Sequence, residues 1–130
     1  MTISSSIREI IRLSKLKINA RGKKRTVLIT NINDIPFPDE ISRESQNFWV
    51  FLNSLPDHDV IIIRNLMYVG RDLKAFSKSF MTLYAELNRV LTPDSSIAKS
   101  EINSKIHMLE RYFSALFIYA QAEKINIDSL

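Results

Sequence analysis

The stretch DLKAFSKSFMTLYAELNRVL, Asp72 to Leu91, decides the fold. Its apolar residues Leu73, Phe76, Phe80, Leu83, Tyr84, Leu87 and Val90 or Leu91 recur at i, i+3 and i+4, the spacing of one face of an α-helix. Asp72 stands just before the first of them and fits an N-cap. Another long helix is predicted directly after it. Thr92-Pro93-Asp94 places a cap, a first-turn proline and an acid in the favoured order, so this helix starts there or near Ser96. Ile102, Ile106, Leu109, Phe113, Leu116 and Ala120 then alternate at spacings of four and three, a heptad-like seam that Tyr112, Phe117 and Tyr119 widen. The two segments predict an antiparallel helical hairpin over residues 72–125.

Working outward, Pro56-Asp57 opens a helix that runs through Ile61-Ile62-Ile63, Leu66-Met67 and Val69 to a glycine stop at Gly70. It is apolar nearly all round, the pattern of a central buried helix. Before it, Pro38, Asp39 and Glu40 begin a helix whose apolar face is Ile41, Phe48, Trp49, Phe51, Leu52 and Leu55, ended by Leu55-Pro56. Ser6-Ile7-Arg8-Glu9 has capping-box spacing, and Ile7, Ile10 and Ile11 follow at helical intervals, predicting a helix over 6–18 that Gly22 closes. Thr26 to Thr30 is rich in β-branched residues and reads as a short extended segment, with residues 31–38 a loop by their turn chemistry. Val60 to Ile63 is the one other stretch with strand character, and whether it pairs with 26–30 is open. The expectation is a mainly α, single compact domain over 1–130 with about five helices, a C-terminal hairpin and one extended segment near 26–30.

The composition allows this. At 130 residues, 45% hydrophobic and 25% charged, the chain resembles an ordinary globular domain long enough to bury a core without metal or disulfide. The absence of cysteine excludes thiol catalysis and Cys-ligated zinc. With only Gly22 and Gly70, neither a P-loop nor a dinucleotide fingerprint can be written. No apolar run approaches the ~20 residues of a membrane span, and Met1 to Ser6 lacks the cationic start of a signal peptide. A cytoplasmic protein is the expectation.

The net charge of +4 is unevenly placed. Residues 1–25 carry Arg8, Arg12, Lys15, Lys17, Arg21, Lys23, Lys24 and Arg25 against Glu9 alone, a balance of +7 that leaves −3 on the remainder. Contact with a polyanion or an acidic protein is therefore expected to be local to this basic helix and loop, at Arg8, Arg12, Lys15, Arg21, Lys23, Lys24 and Arg25. No aromatic residue interleaves these charges for base stacking, and no helix-turn-helix or RNA-binding signature accompanies them.

Other chemistry is sparse. Asp57-His58-Asp59 is the single tight cluster of metal-ligating types, but sequence neighbours diverge and His107 lies in another helix, so a dipole-favoured helix start is the better reading. No metal, cofactor or catalytic residue is expected. Arg64, Tyr68 and Arg71, spaced by four and three, form an anion-binding candidate: two guanidiniums beside a phenol can hold a carboxylate or phosphate, or pair internally with Asp57, Asp59 or Asp72.

Leu66-Met67-Tyr68-Val69-Gly70-Arg71-Asp72 resembles the Leu-Met-Trp-hydrophobic-Gly-Arg-Gly-Asp stretch of an uncharacterised family of small bacterial proteins, as do Ile7, Ile10 and Ile11 and the chain length. Tyr68 stands in the place of the tryptophan, and the glycine between Arg71 and Asp72 is missing. The resemblance implies a bacterial origin and a small helical fold, and no mechanism. The functional expectation is a non-catalytic interaction or regulatory module with a protein partner or a second copy of itself. A nucleic-acid-binding protein using the basic N-terminal segment comes next, and an enzyme with a site near Arg64, Tyr68 and Arg71 third.

Overall fold

Helix α3 (Asp57–Asp72) organises the molecule. Val60 and every residue from Ile62 to Gly70 are buried, as the all-round apolar pattern demands. A computed structural model describes residues 1–25 and 42–130, with side-chain environments over 1–20 and 42–130. The other helices among the described residues are α1 (Ile3–Arg25), α2 (Arg43–Ser54), α4 (Phe80–Val90), α5 (Ser95–Ser104) and α6 (Leu109–Ala122), and no strand occurs among those residues. The fold is mainly α. The extended segment expected at 26–30 and the loop at 31–38 lie outside the described residues, whereas Val60 to Ile63 are helical.

Helices α4, α5 and α6 each pack chiefly on α3, and α1 lies against α2 and α6. Within the stretch 72–125, read from sequence as a helical hairpin, α4, α5 and α6 thus find their main packing partner in α3. One buried cluster joins Ile7 and Ile10 of α1, Phe48 and Leu52 of α2, the α3 interior and the whole seam from Ile102 to Ala120. The seam is spent on the core.

Several predicted boundaries move, each for a local reason. Helix α1 does not stop at Gly22 but continues to Arg25. Helix α2 is capped by Ser42, whose hydroxyl accepts from the Ser45 amide at 3.1 Å, while the predicted start at Pro38 lies outside the described residues. Gly70 is not a helix stop either, since α3 runs through it to Asp72. A methyl group at Gly70 would fall 2.0 Å from the Tyr112 carbonyl oxygen, so hydrogen here permits the close approach of α3 and α6.

Asp72 does not cap the next helix. A 3₁₀ turn over Leu73–Ala75 follows it, Phe76 is extended, and α4 begins only at Phe80. Ser79 accepts from the Thr82 amide at 3.3 Å, and both carboxylate oxygens of Glu123 take the Phe80 amide at 3.1 Å. The break is held from a distance of 43 residues. The single fifth helix also divides: Asp94 caps α5 at the Ile97 amide, and a 3₁₀ turn over Ile106–Met108 precedes α6. Ser104 donates to the Glu101 carbonyl at 2.7 Å, a back-bond that weakens the helical ladder where α5 ends. Helix α6 closes with Lys124 at φ 57°, the Ile125 amide reaching the Ala120 carbonyl and the Lys124 amide that of Gln121. This is a Schellman closure with lysine in the place that glycine favours.

Candidate functional site

Arg64, Tyr68 and Arg71 are neighbours along α3, but the two arginines face different partners, with Tyr68 between them. Arg64 is 1% exposed. Its Nε donates to Asn65 Oδ1 at 2.7 Å, one terminal nitrogen to Glu101 Oε2 at 2.9 Å and the other to the Thr92 carbonyl at 2.9 Å. Asn65 in turn donates to Asn88. This network ties α3 to α4, α5 and the turn between them, and satisfies a guanidinium that burial alone would make costly. Burial first, then the charge of the nearby Glu101 carboxylate, raises the Tyr68 phenol above its ordinary value.

Arg71 lies outside the network. It stacks 4.4 Å from the centre of the Tyr68 ring, and its Nε and Nη2 meet the two oxygens of Asp72 at 2.7 and 2.8 Å. The hydrogen bond to Asp72 raises its already high pKa further. Three of its five N–H groups remain for other acceptors.

Those groups belong to a cleft of about 400 Å³ between the end of α3 and the start of α6. Gly70, Arg71, Lys74, Met108, Arg111, Tyr112, Ala115 and Tyr119 line it, with no carboxylate among them. Lys74 and Arg111 are exposed and have neither an ion pair nor a hydrogen-bond partner among the described residues. The sequence reading missed Lys74, Arg111, Tyr112 and Tyr119. Their signal is a stripe at Met108, Arg111 or Tyr112, Ala115 and Tyr119, spaced by threes and fours beside the buried seam.

The N-terminal cations are distributed differently. Arg12 pairs with Glu9 one turn earlier, Lys15 reaches Glu110 at 2.9 Å, and Arg8 lies 5.1 Å from the centre of the Phe117 ring. The Arg12 hydrogen bond holds the Glu9 carboxyl below its ordinary value. Lys17 is buried, donating to Asn103 at 2.8 Å over the Phe48 ring. Arg21, Lys23, Lys24 and Arg25 occupy the last turns of α1, beyond the described side chains.

A second cavity, also about 400 Å³, is lined by His58, Ile61, Ile62, Arg64, Asn65, Tyr84, Asn88, Leu91, Pro93 and Leu130. Its polar wall is the Arg64 network already described. Asp57 and Asp59 stand in the first turn of α3, His58 is exposed beside them, and no group of three or more metal-ligating side chains occurs among the described residues. No helix among the described residues is long and apolar enough to cross a membrane. No family model, no curated protein and no solved structure matches this chain.

Proposed function

We propose that this protein is a non-catalytic interaction module that docks through α1 on an acidic protein surface. The observation that carries the reading is the charge segregation: +7 on residues 1–25 against −3 elsewhere, gathered on one helix from Ile3 to Arg25. Among the described side chains of this set, Arg12 pairs with Glu9, Lys15 with Glu110, and Lys17 is buried against Asn103. Leu16, 44% exposed between Lys15 and Lys17, adds an apolar contact of the kind protein interfaces use. The absence of aromatic residues among the cations favours a protein over single-stranded nucleic acid.

The test replaces Arg21, Lys23, Lys24 and Arg25 with glutamate and compares what the two forms capture from host extract at low and high salt. The expected result is a set of acidic proteins held by the wild-type chain, released by salt and absent from the variant. An unchanged set contradicts the proposal. Nucleic acid retained instead, with affinity falling linearly in log salt at a slope of about −0.9 per phosphate contacted on a duplex, selects the second reading.

A further inference from the structure

We infer that the cleft between α3 and α6 binds the phosphate group of a small organic phosphomonoester, a site separate from α1 and independent of its partner. Three cations, Arg71, Lys74 and Arg111, share one cleft that no carboxylate lines. Outside residues 1–25 the chain is net negative, so this concentration runs against the local average. Asp72 neutralises Arg71 from one side, but Lys74 and Arg111 have no ion-pair partner among the described residues, and an anion bound beside them relieves their mutual repulsion. Helix α6 contributes in the same sense: Met108 offers its first turn no side-chain cap, and Met108, Arg111 and Tyr112 at that positive end all line the cleft.

The geometry selects among anions. Arg71 is already fixed in orientation by its fork to Asp72 and its stack on Tyr68, so its remaining N–H groups need little ordering on binding. A carboxylate has one charge and two oxygens, which a single guanidinium satisfies, as Asp72 shows. A phosphomonoester carries about −1.5 to −2 charges and three strong acceptor oxygens, matching three cations and the hydroxyls of Tyr112 and Tyr119. The volume, about 400 Å³, lies near the small end of the roughly 300–1,000 Å³ typical of small-molecule pockets. Met108, Ala115 and the tyrosine rings supply apolar wall for the organic part.

Calorimetric titration of the full chain with phenyl phosphate, inorganic phosphate and phenylacetate at fixed ionic strength tests this. One-to-one saturation by phenyl phosphate is expected, about tenfold tighter than either comparison ligand, the scale of one good charged contact. Arg111→Gln and Lys74→Gln should each weaken it about tenfold, while Arg89→Gln on α4, outside the cleft, changes nothing. Undiminished binding in both cleft variants, equal loss in Arg89→Gln, or no advantage of phenyl phosphate over phosphate and phenylacetate overturns the inference. If a cleft variant loses its helical circular dichroism, amide shifts of the wild-type chain decide. Perturbation at Gly70, Arg71, Arg111 and Tyr112 supports the site, and perturbation confined to α1 overturns it.

Discussion

Gly70→Ala is the sharpest test of how α3 meets α6. The added methyl carbon would stand 2.0 Å from the Tyr112 carbonyl oxygen, 2.8 Å from its carbon and 3.2 Å from Leu116 Cβ. The first two atoms are backbone and cannot rotate away, so α6 must move outward and the seam around Leu116 and Phe113 must loosen. Overpacking of this kind costs about 1–3 kcal/mol, and a backbone clash belongs at the upper end. Alanine returns about 1 kcal/mol through better helix propensity, since Gly70 lies inside α3 at an ordinary helical φ. The net expectation is about 2 kcal/mol of destabilisation. For a chain of this length that lowers Tm by about 6–10 °C. Thermal unfolding followed by circular dichroism, paired with urea titration to obtain the free energy directly, measures it. A variant as stable as the parent, or more so, refutes the close approach, because the propensity gain would then act unopposed.

Arg64→Ala leaves Glu101, Asn65 and the Thr92 carbonyl without their shared donor and is expected to cost about 3–5 kcal/mol, read by urea unfolding; Arg64→Met with Glu101→Gln should recover much of it. Lys124→Gly relieves a left-handed residue that costs roughly 1–2 kcal/mol, offset by about 0.5–1 kcal/mol of glycine entropy, so a rise of roughly 2–5 °C in Tm is expected. Asp128 takes the Ser4 amide at 2.8 Å and the Ser4 hydroxyl, which lower its carboxyl below the usual 3.8. A depressed carboxyl stabilises above its unfolded value and loses that contribution as pH falls through the folded one. An NMR titration should therefore place the Asp128 midpoint below 3.8, and Asp128→Asn should abolish the acid-induced release of the Ser4 amide. Tyr68 and Tyr84, both raised by burial, should ionise above the ordinary phenol value in an alkaline spectrophotometric titration.

Much of the core is written in local periodicity. Ile7 and Ile10, Phe48 and Leu52, Val60, Ile62, Ile63, Leu66, Met67 and Val69, and the seam residues from Ile102 to Ala120 are all buried where their spacing places them. The exceptions arise from partners remote in sequence. Leu73, Phe76 and Phe80 fit a continuous helical stripe, yet the chain breaks at Phe76 because Ser79 and the distant Glu123 together supply a new helix start at Phe80. The split between α5 and α6 is invisible in the pattern, since a 3₁₀ turn of three residues per turn keeps Ile106 on the buried side. Gly70 could be read as a stop or as a close approach, and only the position of Tyr112 decides.

The candidate sites divide along the same line. Arg64 looked available because Glu101, its counter-ion, lies 37 residues away and the Thr92 carbonyl carries no sequence signal. The basic cleft was missed for the converse reason. Lys74 is one turn past Arg71, but Arg111, Tyr112 and Tyr119 join it only through the packing of α3 on α6. The charge imbalance of the first 25 residues, by contrast, is arithmetic and needs no tertiary information.

Hydrogen exchange of the full chain with and without its captured acidic partner reads out whether α1 is the contact element. Slowed exchange along α1, concentrated from Leu16 to Arg25, with the core helix α3 unchanged, is the expected result. Protection confined to α4 and α5, with α1 exchanging as in the free protein, would contradict it.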